Sequence, residues 1–151
     1  MLKLSRLTDY AVVVLSRMGR TDAPLLSAPG IAARTGLAEP TVAKVLKILA
    51  QAEIVEGLRG ARGGYRLTRP LSRITLSEVI VAFDGPIALT ACVDGGTGAC
   101  ESEHHCPVRG RWDPVNDAIR EALAGISVAE LAGGGCGASS LTTPDHFVAA
   151  E

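Results

Sequence analysis

The stretch SAPGIAARTGLAEPTVAKVLKILAQAEIVEGLRGARGGYRL, residues 27–67, decides the fold. A short helix is expected after Ser27, through Ile31, Ala32 and Ala33 to Thr35-Gly36. After a turn at Gly36-Leu37-Ala38, a longer helix is expected from Glu39-Pro40 to Ala52. Proline is tolerated there because a first-turn residue needs no backbone N–H. Val42, Val45, Leu46 and Leu49 form one apolar stripe at helical spacing, and Thr41, Lys44 and Lys47 lie off it. Two short helices joined by a tight glycine-containing turn are the sequence form of a helix-turn-helix.

The end of the stretch adds a second feature. Ile54-Val55 and Tyr65-Arg66-Leu67 flank a glycine-rich segment, residues 56–64, that carries Arg59 and Arg62. This pattern predicts a two-stranded hairpin with a basic loop. A glycine-rich loop also suits a nucleotide phosphate, but no G-x-x-x-x-G-K-[ST] pattern is present and no helix starts directly after the glycines. The expected fold is mainly α with a small β-hairpin wing, a winged helix-turn-helix.

Moving outward, Leu7, Tyr10, Ala11, Val14, Leu15 and Met18 predict a first helix, capped by Ser5 or Thr8. Thr75-Leu76-Ser77-Glu78 is a capping box opening a helix through Val79, Ile80 and Phe83, which Asp84-Gly85-Pro86 ends. Asp113-Pro114 starts another, with Val115, Ala118, Ile119, Ala122 and Leu123 on one face. Ser127-Val128-Ala129-Glu130 is a second capping box, for a short helix to about Ala132. The expected organisation is a DNA-binding domain over 1–73, a connecting helix over 74–91, a cysteine loop over 92–111, helices over 112–132 and a flexible tail over 133–151.

Charge is distributed unevenly between these parts. The net charge is only −1, yet residues 1–73 hold 12 Lys and Arg against 5 Asp and Glu, a balance of +7, and the remaining 78 residues stand at −8. A basic half is the expected footprint of a polyanionic partner. Thr41 and Lys44 are placed for a major groove, Lys47 and Arg34 for phosphates, and Arg59 and Arg62 for the narrow minor groove beside it. The bland alternative is that these are core helices whose charges only meet water. Apolar residues make up 47% of the chain and aromatics 3%, so the core must be aliphatic. No apolar run is long enough to span a membrane, and the N-terminus meets charged residues too often to hold a signal-peptide core. A reducing cytoplasm is the expected compartment, where cysteines read as metal ligands or redox thiols.

Cys92, Cys100 and Cys106 are spaced C-x7-C-x5-C. Three thiolates on pliable backbone suit one soft metal centre, and the spacing departs from the paired knuckles of structural zinc. A fourth ligand must come from elsewhere: Glu103, His104 and His105 are local candidates and Asp9 a remote one. Each also has a bland role, the histidines as solvated loop residues and Asp9 as a cap on its own helix. Cys136 reads as a free thiol in the tail. A redox enzyme or thiol carrier is the rival from another class, but it would need a C-x-x-C pair or a placed catalytic partner, and neither is seen.

With these residues together, the chain resembles the winged-helix iron–sulfur regulators typified by IscR, NsrR and the Suf-system regulators. The resemblance covers about residues 1–132 and rests on Leu7-Thr8-Asp9-Tyr10-Ala11, Gly60-Ala61-Arg62-Gly63-Gly64-Tyr65, Thr75-Leu76-Ser77-Glu78-Val79-Ile80 and the three cysteines. Leu89-Thr90-Ala91-Cys92 and Cys106-Pro107-Val108-Arg109 look most like the Suf type. It implies a non-enzymatic, homodimeric repressor or activator of iron–sulfur assembly genes, bound to a pseudo-palindromic operator in double-stranded DNA. Cys92, Cys100 and Cys106 would hold an iron–sulfur cluster, 2Fe–2S in preference to 4Fe–4S, and the long helix from Pro114 would pack on its mate. Some members place a histidine three residues after the last cysteine; here that residue is Arg109, which does not ligate iron. Others use an acidic residue on the partner's first helix, which Asp9 matches, so Asp9 is favoured over His104 and His105. The alternative keeps the fold and replaces the cluster with structural zinc or a thiol redox switch.

Overall fold

The computed structural model describes residues 3–93, 95–96, 100 and 105–133. The first helix, α1 (Arg6–Met18), is capped by Ser5, whose hydroxyl accepts from the Thr8 N–H at 3.2 Å. Thr8, the other expected cap, is fully buried and donates its hydroxyl to Asp84 instead. Ser27 caps α2 (Ala28–Thr35) by accepting from the Gly30 N–H. That helix closes at Gly36, whose φ of 72° lies in the left-handed region glycine enters without cost. The recognition-type helix α3 (Glu39–Gln51) follows, with Pro40 in its first turn.

Strands β1 (Val55–Leu58) and β2 (Gly64–Leu67) pair antiparallel, Val55 opposite Leu67 and Leu58 opposite Gly64. The strands reach further into the glycine-rich segment than its composition suggests, leaving a tip of only residues 59–63. Cross-strand pairing explains the extension: Glu56 faces Arg66 and forms an ion pair with it. The tip needs its glycine at position 63, where a Cβ would stand 2.5 Å from the Leu58 carbonyl oxygen. Leu26 exchanges two backbone hydrogen bonds with Tyr65, at 3.0 and 2.8 Å, which ties the wing to the segment before α2.

The C-terminal helices complete the same core. Helix α4 (Leu76–Asp84) opens with the full capping box of Thr75 and Glu78, and Arg69 also binds Glu78 at 2.5 Å. Partial burial pushes the Glu78 carboxyl up, but the hydrogen bonds from Thr75 and the charge of Arg69 outweigh it and hold it below the usual glutamate range. The second box, Ser127 with Glu130, opens α6 (Val128–Gly133), and the two boxes are cross-linked by backbone, Leu76 N–H to Ile126 and Val128 N–H to Ile74, both 2.8 Å. One aliphatic cluster therefore runs from Val14 and Leu15 of α1 through Ile31, Val45, Leu46 and Leu49 to Ile54, Ile74, Val79 and Val128. It continues across residue 73. Helix α5 (Asp113–Ala124) packs on α4, and its expected apolar face is only partly covered, with Val115 45% exposed, Ala118 and Ala122 exposed and Ile119 and Leu123 half-buried. Among the described residues, no helix is long and apolar enough to cross a membrane.

Candidate DNA interface and cysteine loop

The basic residues stand where the core leaves them. Burial of Val42, Val45, Leu46 and Leu49 turns one side of α3 inward, so Lys44 and Lys47 are exposed on the other, with Thr41 half-buried in the first turn. Arg59 and Arg62 are exposed at the wing tip. Of the acids near them, Glu56 is engaged by Arg66 and Glu78 by Arg69, while Glu39 stands exposed in the first turn of α3. Lys44, Lys47, Arg59 and Arg62 thus offer their charge outward along one helix and one hairpin. Arg34 is also exposed, but in the last turn of α2, where it lines a groove with Arg17 and Arg20 that no residue of α3 or the wing enters.

The cysteine segment is built differently. Helix α4 is capped by Gly85, and the buried Ile87 and Val93 then flank the stretch that carries Cys92. Asn116 of α5, 1% exposed, accepts from the Leu89 N–H at 2.9 Å and donates to the Ile87 carbonyl at 3.2 Å. A buried amide satisfied on both sides pins the entrance of the loop to α5. Cys92, Cys100 and Cys106 are half-buried free thiols, and Cys92 Sγ lies 3.3 Å from the Thr90 hydroxyl. Among the described residues, no three Cys, His, Asp or Glu side chains converge to hold a metal ion. His105 is described and exposed; Glu103, His104, Cys136 and the tail beyond Gly133 lie outside the described residues. The donor set still fits a soft metal: three accessible thiols with no disulfide between them.

Asp9 is exposed on the first turn of α1, and Ser5 rather than Asp9 caps that helix. One residue earlier, the Thr8 hydroxyl donates to Asp84 Oδ2 at 2.7 Å, and the Ser5 N–H reaches the same oxygen at 3.2 Å. Partial burial pushes the Asp84 carboxyl up, but these hydrogen bonds outweigh it and hold it below the usual aspartate range. The start of α1 is thereby joined to the end of α4, immediately before the cysteine segment. Sequence reading missed both Asn116 and Asp84. A lone Asn on an amphipathic helix is a weak signal, and Asp84 reads only as a helix terminator.

Comparison with known proteins extends this picture. The model of the Rrf2 family, described as an iron-dependent transcriptional regulator, matches residues 4–134. The chain belongs to the Rrf2 family. Protein aau3 of Rhizobium meliloti strain 1021 is 32% identical over 130 residues, covering 86% of this chain and 84% of the relative. The HTH-type transcriptional regulator NsrR of Oceanobacillus iheyensis is 30% identical over 109 residues, covering 72% and 74%. Among solved structures, CymR, the global cysteine regulator of B. subtilis, superposes with a TM-score of 0.68 at 27% identity, covering 88% of this chain and 98% of that one. The winged-helix architecture of this Rrf2 member is that of a DNA-binding transcription regulator, not an enzyme.

Proposed function

We propose that this Rrf2 regulator is a cytoplasmic homodimer that senses iron–sulfur cluster status and controls iron–sulfur assembly genes, as a Suf-type regulator. The observation that carries the reading is the loop of three free, half-buried thiols whose entrance Asn116 anchors to α5, in a family described as iron-dependent. Cys92, Cys100 and Cys106 would hold the cluster, and Asp9 of the other subunit would complete its ligands. When bound, the cluster supplies a centre whose state follows iron and oxidants. The partly exposed apolar face of α5 would be the seam of the dimer. An Asp9 carboxylate tied to the other subunit would set the spacing of the two α3 helices, and so their fit to paired half-sites. Thr41 and Lys44 would enter the major groove, with Lys47 on phosphate and Arg59 and Arg62 in the flanking minor groove.

Absorption and metal analysis of anaerobically purified protein test the reading. Visible absorption with bound iron and sulfide supports it; a colourless protein with zinc, or with reactive thiols alone, replaces it with the structural-zinc or thiol-switch alternative. Any one of Cys92→Ser, Cys100→Ser or Cys106→Ser should abolish the absorption. Asp9→Ala should leave it present but labile, and should shrink a holo–apo difference in DNA affinity expected at ~5–150-fold. Ile119→Glu should give monomers by sedimentation; a stable dimer would move the seam off α5.

A further inference from the structure

Away from α3, the wing and the cysteine loop, three arginines meet in one concavity. Arg17 in the last turn of α1, Arg20 just beyond it and Arg34 in the last turn of α2 line a groove of about 440 Å³, closed by Leu131 and Ala132 of α6. Val12, Val13 and Leu131 supply its apolar wall, and among the described residues no acidic side chain lines it. Arg20 donates to the Ala132 carbonyl, so it is held in place by α6. The Nε of Arg17 is buried with no acceptor among the described residues.

Cations at helix C-termini have an ordinary explanation, attraction to the negative end of the helix dipole, and both Arg17 and Arg34 occupy last turns. That accounts for their sign. It does not account for the convergence of three like charges on one concave surface, nor for a buried donor left without an acceptor, which is rare in folded proteins. We propose that this groove binds a small organic anion, a carboxylate or phosphate on a short apolar stem. The head pairs with Arg17 and Arg34, whose planar guanidinium groups match the geometry of carboxylate and phosphate oxygens. The stem covers Val13 and Leu131, which are 39% and 45% exposed. The DNA backbone offers the same phosphate head but no apolar stem, and would leave both side chains wet. An occupant touching α1, α2 and α6 at once joins the C-terminal helix to the helix-turn-helix, so it raises the melting temperature of the whole chain.

Calorimetric titration of the full-length protein at constant ionic strength, with butyrate, butyl phosphate, inorganic phosphate and a random-sequence duplex as probes, tests this. Saturable binding of butyrate and butyl phosphate is expected, with butyl phosphate tighter than inorganic phosphate. Arg17→Gln and Arg34→Gln should each weaken it roughly tenfold or more, the loss expected for one charge-assisted hydrogen bond. Arg73→Gln, which removes an exposed arginine outside the groove, should not. Far-UV circular dichroism controls for folding, and exposed Arg34 keeps the test standing if Arg17→Gln misfolds. No saturable binding by wild type, or equal binding by wild type and both variants, overturns the proposal. Variants that bind the small anions normally but lose duplex affinity also overturn it, and assign these arginines to the DNA backbone.

Discussion

The helix-turn-helix with its wing and the cysteine segment lie in one chain but are held by different means. The first is positioned by interlocking aliphatic side chains, with Val42, Val45, Leu46 and Leu49 of α3 fully buried against α1, α2 and β1. Among the described residues, the second is held by the buried side chains of Ile87 and Val93 and by one buried amide, Asn116. A packed helix keeps its place without help, because any displacement opens a cavity. On the proposed function, α3 and the wing would present a preformed DNA-reading surface, while the three thiols would take their final arrangement from what they bind. The proposed sensor would use this division, with a rigid output and a responsive input.

The largest test of the contrast strikes the rigid side. Leu46→Ala should cost about 2–5 kcal/mol in denaturant unfolding, because a cavity opens beneath α3; a loss well under 1 kcal/mol would mean that this region is not the organising core. Next comes the pin. Asn116→Ala strands the Leu89 N–H and the Ile87 carbonyl, at a cost of about 1–3 kcal/mol. Hydrogen exchange should accelerate around residues 87–93 and hardly change in α3. Uniform acceleration across both regions would erase the distinction between them.

A smaller effect should appear at the DNA surface. Lys44→Ala should lower the log–log salt slope of binding by about 0.9 if the lysine meets one phosphate, with no change in melting temperature. An unchanged slope and affinity would take Lys44 off the interface. The smallest expected effect is at the joint between the two regions. Because the Asp84 carboxyl titrates below its ordinary value of 3.8 in the folded chain, its contribution to stability is present above that value and is lost as pH falls through the lower, folded one. Asp84→Asn should flatten that acid limb slightly, as followed by denaturant midpoints. Identical acid limbs for the variant and wild type would show that the hydrogen bonds to Ser5 and Thr8 do not couple α1 to α4.

The parts legible in advance were those set by neighbours three or four residues apart. Thr75 with Glu78, Ser127 with Glu130, the turn at Gly36 and the stripe from Val42 to Leu49 are local patterns. Their geometry follows from helical spacing alone. The extent of the wing was less legible, because glycines inside paired strands resemble glycines inside a loop until Glu56 meets Arg66.

The helices, their capping boxes, the glycine-bearing turn, the basic charge of the first half and the three-thiol donor set follow from the order of residues alone. Packing was needed to bring Thr8 to a residue 76 positions away, to bring Asn116 back 27 and 29 positions to the loop, and to gather Arg17, Arg20 and Arg34 in one groove. Helical periodicity carries information over one or two turns. Which distant polar group a buried hydroxyl or amide must satisfy is settled only once packing has removed water from both.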